Sequence, residues 1–247
     1  TTVHEYDAIG RRTRTTDVFG NVIEFGYDAN GNRTSLTYPG GDIVTYLYDA
    51  ANQLTAVNDW LGGTTTYGYD PTARLISTVH SNGSREARTY DPLGRMTSLT
   101  NTKSDSSVIS DYVLEFAPNG NIVSEQRTEP LQPAYTLGSV TRAYDAENRL
   151  TAENGQPNTF DANGSQLSRG GDVFSYDDAD RLKSATVSGQ TSSYAYDGAG
   201  ERVARTRAGQ ETRYVNDTNT SLTNVIAETD GSGTMLARNI LGNGQVA

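Results

Sequence analysis

The 247-residue chain contains no cysteine, which excludes disulfides and cysteine-based metal sites. Methionine occurs twice and tryptophan once, and hydrophobic residues make up 34% of the chain. With a mean hydropathy of −0.61, that is lean for a compact core. No apolar run approaches the roughly 18 residues of a membrane helix, so no membrane span is expected in this stretch. There is no initiating methionine and no signal-peptide pattern. Both ends fall inside patterned sequence, which reads as a fragment of a longer chain. No amphipathic helical period lasts longer than two turns. Basic residues are outnumbered, 20 Lys and Arg against 30 Asp and Glu, for a net charge of −10. That argues against nucleic acid as a direct partner, because phosphate binding needs clustered Lys and Arg.

What is abundant is glycine, 25 residues, and tyrosine, 15 residues, and the tyrosines keep a beat. Tyr6-Asp7, Tyr27-Asp28, Tyr48-Asp49, Tyr69-Asp70 and Tyr90-Asp91 succeed one another at 21-residue intervals. Looser copies lie at Phe116-Ala117, Tyr144-Asp145, Phe160-Asp161, Tyr176-Asp177 and Tyr196-Asp197. A fixed period of this size means one supersecondary unit repeated. Gly stands three residues after Asp at Gly10, Gly31, Gly94 and Gly200, often with Arg or Asn next. Asp first and Gly fourth predicts a type I turn closed by a left-handed residue in a G1 bulge. Asn52 and Asn148 suit that conformation; Ala73 and Asp180 suit it poorly, so distorted turns are expected there. A second turn is expected at Gly20-Asn21, Gly41-Asp42, Gly62-Gly63 and Gly83-Ser84, as two-residue Gly-X loops.

These turns set a register. Each Tyr should face the residue six positions on: Tyr48 with Leu54, Tyr69 with Leu75, Tyr90 with Met96, Tyr144 with Leu150 and Tyr176 with Leu182. Arg12 and Arg33 break that aliphatic rule. Asp70, Asp91, Asp145 and Asp177 should meet Arg74, Arg95, Arg149 and Arg181 on the face opposite the tyrosines. Two residues further out, bulky should meet small: Tyr46 with Ala56, Tyr67 with Ser77 and Phe174 with Ser184. The expected fold class is all-β: antiparallel β-hairpin repeats in a continuous, curved, spiralling sheet.

The spacing divides the chain into four regions. Residues 1–100 carry the regular 21-residue repeats. Residues 101–143 are irregular, with a polar loop from Asn101 to Ser107, a strand from Val108 to Phe116, a degenerate turn at Pro118-Asn119-Gly120-Asn121 and a loop at Glu129-Pro130-Leu131-Gln132-Pro133. Residues 144–213 hold shorter repeats, in which strands should shorten. Residues 214–247 form a terminal segment with a hairpin around Asp230-Gly231-Ser232-Gly233.

The motif Tyr-Asp-x-x-Gly-Arg/Asn, in ten copies over residues 4–205, resembles the Rhs/YD-repeat family of polymorphic toxins and insecticidal toxin complexes, with teneurin-like animal relatives. The tail Val225-Ile226-Ala227-Glu228-Thr229-Asp230-Gly231-Ser232-Gly233 resembles the segment that precedes that family's Rhs-associated core. The core itself, the autocleaving protease and the variable toxin are absent from this stretch. The resemblance implies a hollow β-shell, secreted or at the cell surface, that encapsulates and helps deliver a C-terminal toxin or effector domain. Its partners would be that downstream domain and the neighbouring YD repeats.

Chemistry-bearing residues are few. His4 and His80 lack ligand spacing for zinc, and a Ser-His-Asp site would need His80 with distant partners; a strand-surface His80 is the simpler reading. Asp28-Ala29-Asn30-Gly31-Asn32 and Asp161-Ala162-Asn163-Gly164-Ser165 resemble the start of a calcium loop, but at its sixth and twelfth positions stand Arg33 and Pro39, or Gln166 and Asp172. Turn capping explains the same residues. Paired carboxylates could build a glycosidase site, yet these recur at a structural beat. The aromatic rows around Tyr46, Tyr48, Tyr67 and Tyr69 leave open a carbohydrate-binding or adhesion module with a glycan partner. The expectation is a non-enzymatic segment with no catalytic, cofactor or metal residues.

Overall fold

The computed structural model describes residues 1–129, 139–242 and, for the backbone, 244–245. Among them there is no helix. The first sheet takes twelve strands in chain order: β1 Val3–Tyr6, β2 Arg12–Thr16, β3 Val22–Tyr27, β4 Arg33–Thr37, β5 Ile43–Tyr48, β6 Leu54–Asn58, β7 Thr64–Tyr69, β8 Leu75–Val79, β9 Arg85–Tyr90, β10 Met96–Thr102, β11 Val108–Phe116 and β12 Ile122–Thr128. The second takes eleven: β13 Arg142–Tyr144, β14 Leu150–Glu153, β15 Gln156–Phe160, β16 Gln166–Arg169, β17 Asp172–Tyr176, β18 Leu182–Val187, β19 Gln190–Tyr196, β20 Arg202–Arg207, β21 Gln210–Asp217, β22 Asn224–Asp230 and β23 Met235–Arg238. Neither closes into a barrel. The antiparallel hairpin fold is as the sequence implies, drawn as two sheets. Residues 130–133, part of the second expected loop, lie outside the described residues.

The chain divides into two compact units, one of His4–Thr15, Val22–Ala134 and Asn239–Ala247, the other of Thr1–Val3, Thr16–Asn21 and Tyr135–Arg238. In the first unit one sheet face is apolar, because strands alternate between buried and exposed residues. Phe25 pairs with Leu36 and Leu36 with Val44; Tyr46 pairs with Val57 and Val57 with Thr65. All six are buried. In the second unit β21 and β22 bury adjacent residues on both faces, Tyr214 with Val215 and Ile226 with Ala227. Strands β13 to β17 are short, as the closer repeats imply. The shortening does not persist, since β18 to β22 regain six to eight residues.

The Tyr-Asp turns have the expected form. Asn52 N–H donates to Asp49 O and Asp49 N–H to Gln53 O, both at 3.0 Å, with Asn52 at φ 62°. Ala73 and Asp180 are not distorted. They sit at φ 65° and 57° with the same two hydrogen bonds. A side chain in this left-handed region costs roughly 1–2 kcal/mol, less glycine's own entropic cost. Ala73→Gly is therefore expected to stabilise the protein by about 0.5–1 kcal/mol, read as a higher urea midpoint.

The second turns are not two-residue loops. Asp17 N–H donates to Asn21 O and Gly20 N–H to Asp17 O, the geometry of the Tyr-Asp turn. The same bonds recur from Tyr38 to Asp42, Asp59 to Gly63 and His80 to Ser84. Asp17 and Asp59, three before the glycine, cap two of these turns through Oδ1, which accepts from Phe19 and Asn21, or from Leu61 and Gly63.

Register beyond the first pair also differs from the simple alternation. Tyr48 faces Leu54, Tyr69 Leu75, Tyr90 Met96, Tyr144 Leu150 and Tyr176 Leu182, as the turn dictates. Then a bulge intervenes, so Leu47 faces Ala56 and Tyr46 faces Val57. Likewise Tyr67 faces Thr78 and Phe174 faces Ala185, rather than Ser77 and Ser184. The extra residue lies seven positions after each Tyr, as at Thr55, Ile76 and Lys183. A bulge adds local twist and bends its strand. One bulge per repeat is thus a built-in source of curvature. Just beyond it small faces small, Gly68 with Ser77, Ser175 with Ser184 and Ala195 with Ala204.

Candidate functional site

The densest side-chain chemistry links one Tyr-Asp turn to the next. Tyr27, Tyr48, Tyr69 and Tyr90 donate their hydroxyls to the carbonyls of Arg12, Arg33, Leu54 and Leu75, at 2.8–3.1 Å. Each acceptor lies fifteen residues back, in the preceding repeat. Tyr196 does the same to Leu182 at 2.9 Å.

Arginine works in the other direction. Arg74 Nε binds Asp70 Oδ2 at 2.6 Å, while its Nη1 donates to Asp91 O at 3.1 Å. Its guanidinium lies 4.8 Å from the centre of the Tyr90 ring. Arg11 treats Tyr27, Arg95 treats Phe116 and Arg181 treats Tyr196 alike. The Asp–Arg pairs therefore form, but not on a face apart from the tyrosines: the guanidinium covers the next aromatic ring. Arg149 also stacks, on Phe160. For Tyr90 the hydroxyl bond contributes about 1 kcal/mol and the cation–π contact about 0.5–1 kcal/mol. Where arginine is missing, amides take over: Asn30 and Asn32 both donate to Asn52 Oδ1. Arg33, the exception in the aliphatic row, places its guanidinium 6.0 Å from the Phe25 ring and 5.3 Å from that of Tyr46.

The turn carboxylates of Asp7, Asp28, Asp70, Asp91, Asp145 and Asp177 are held below the ordinary range. For Asp7 the Arg11 guanidinium is the main cause, for Asp28 the Asn32 amide and for Asp145 the Arg149 N–H. At Asp70 and Asp91 desolvation pulls upward, but the backbone and side-chain donors of Arg74 and Arg95, among others, outweigh it. A carboxyl with a depressed folded pKa contributes its stability above the unfolded value, about 3.9, and loses it as pH falls through the lower folded value. The melting temperature should hold down to about pH 4.5 and fall only below about pH 4. A decline beginning near pH 6, monitored by circular dichroism, would contradict this.

Residues with candidate roles in the sequence take structural places. Asp28 Oδ1 accepts from Asn30 and Asn32, and Asp161 Oδ1 from Asn163 and Ser165, as turn caps. Asp172 accepts from Ser188 N–H. His4 Nδ1 lies 3.0 Å from Thr15 Oγ1, with its ring edge-on to Tyr6. His80 is not on a strand; it occupies the first corner of a turn. Tyr46 and Tyr67 are buried, and Tyr46, Tyr48 and Tyr69 line a groove of about 410 Å³ with Arg33, Leu54 and Gly242.

The same face holds the segment Asn239–Gly242. Tyr38 donates its hydroxyl to Asn239 O at 2.7 Å and packs edge-on against Trp60, ring centres 5.1 Å apart. Ile240 is buried. Gly242 lies so close to the Tyr67 hydroxyl and Val57 that a side chain there would collide. Sequence periodicity carries no signal for this docking, which joins residues about 200 positions apart.

The RHS Repeat family model matches residues 6–43, 48–86 and 176–212. No curated protein matches the chain. Among solved structures, TcdB2-TccC3 aligns over 99% of this chain at 18% identity and TM-score 0.53. TcdB2-TccC3-TEV aligns over 100% at 12% identity and TM-score 0.53. The Tc holotoxin pore of Photorhabdus luminescens aligns over 99% at 18% identity and TM-score 0.52. This chain spans only 18–22% of those chains. The likeness shows a shared fold. With three stretches matched by that family model and the fold shared with those structures, the chain is an Rhs/YD-repeat protein.

Proposed function

We propose that this chain is a structural segment of the wall of a hollow β-shell, which encapsulates a C-terminal toxin or effector domain and helps deliver it. The observation that carries this reading is the ladder. The hydroxyls of Tyr27, Tyr48, Tyr69, Tyr90 and Tyr196 and the guanidiniums of Arg11, Arg74, Arg95 and Arg181 are engaged in holding one repeat to the next. A wall needs continuity, and a sheet whose strands keep chain order leaves no inner edge unpaired. The bulge in each repeat supplies the bend. One solved relative is TcdB2-TccC3 without its hypervariable C-terminal region, so a variable C-terminal region belongs to that protein. The segment acts without catalysis, in a secreted or cell-surface protein, with the downstream domain and adjoining repeats as partners.

The test uses the complete gene product. The region C-terminal to the repeats, expressed alone, should arrest the growth of a host cell, whereas the same region attached to its shell should be harmless. Equal effects of the two forms would overturn encapsulation.

A further inference from the structure

The second sheet carries a groove of about 530 Å³ on one face of β18, β19 and β20. Cross-strand pairing places Ser192 opposite Arg207 and Tyr194 opposite Arg205, so all four side chains share that face. In a chain of net charge −10, neither arginine has a carboxylate within ion-pair distance among the described residues. Arg207 Nη2 is steadied by Gln190 Oε1 at 2.6 Å. Arg205 Nε is buried and has no acceptor. Asp172 and Glu211 are engaged elsewhere, with Ser188 and Arg213.

We propose that this groove binds an extended acidic peptide through carboxylates two residues apart. Arg205 and Arg207 stand on the same side of one strand, about 6.8 Å apart along it. An extended peptide places its side chains i and i+2 on one side at the same spacing. Each guanidinium can then take one carboxylate in a two-pronged contact, and Ser192 and Tyr194 offer hydroxyls from the neighbouring strand. The acidic surroundings disfavour loose attraction of an anion, so binding needs the local fork.

The test titrates the whole chain into a fluorescein-labelled peptide of alternating Glu and Thr, read by anisotropy. Saturable binding should weaken roughly tenfold in Arg205→Gln and in Arg207→Gln. It should also weaken in the R205K/R207K protein, which keeps charge but lacks the fork. A peptide of the same composition built of Glu-Glu-Thr-Thr repeats, in which no two Glu residues stand two positions apart, should bind more weakly. Thermal melts of each variant establish that it is folded. No saturable binding, affinity unchanged in both Gln variants, or tighter binding of a sulfated oligosaccharide would overturn the proposal.

Discussion

Tyr38→Ala is expected to cost about 3–5 kcal/mol, the usual range for truncating a buried aromatic. Tyr38 is 1% exposed, so almost its whole ring volume becomes cavity. The substitution also removes the edge contact to Trp60 and the hydroxyl bond to Asn239. Two consequences separate these terms. Tyr38→Phe keeps the ring and should cost only about 1 kcal/mol. Hydrogen exchange at Asn239–Gly242 should rise in both variants, far more in the Ala protein. Urea unfolding gives the first quantity and mass spectrometry the second. A cost under about 1 kcal/mol for Tyr38→Ala would mean the ring is not packed as described.

Ser77→Leu is the second large effect, at about 1–3 kcal/mol. Ser77 faces Gly68 across the bulge. The Ser77 hydroxyl fills the space that a methyl group on Gly68 would occupy. A leucine must force the strands apart or leave its rotamer. Ser77→Ala should be nearly neutral, because Ala56, Ala152 and Ala204 occupy the equivalent position in other repeats. Urea unfolding of the two variants checks the contrast. Equal stability of the Leu and Ala proteins would show that the bulge does not constrain this site.

The sequence made one part of this fold legible because that part is local. Asp and Gly three residues apart specify a turn, and the turn specifies which residue faces Tyr48 or Tyr176. The strand from Val108 to Phe116 and the turn at Asp230 obey the same short-range rules. The bulge was hidden, because alternation assumes residue-for-residue pairing and Thr55 or Ile76 carries no mark of being extra. Its trace was present in the small residue eight positions after Tyr27, Tyr48, Tyr69 and Tyr90, at Ser35, Ala56, Ser77 and Ser98. Asp17-x-x-Gly20 and Asp59-x-x-Gly62 likewise carried the turn spacing without a tyrosine before them. The ladder was only half visible. Arg74 beside Asp70 is a local pair, but its contact with Tyr90 crosses a hairpin and depends on the register that the bulge resets. Of the four tyrosines offered as a stacking surface, two are buried, and the docked tail contacts one of these through residues with no periodic signature.

Enclosure of the downstream polypeptide by these repeats is tested most directly by limited proteolysis of the complete protein. The native form is compared with the Ser77→Leu form, and the region C-terminal to the repeats is tracked by mass spectrometry. Enclosure predicts that this region survives in the native protein and is digested once the wall is loosened. Digestion of that region at the same rate in both proteins, or a gene product with no polypeptide beyond its repeats, would contradict it.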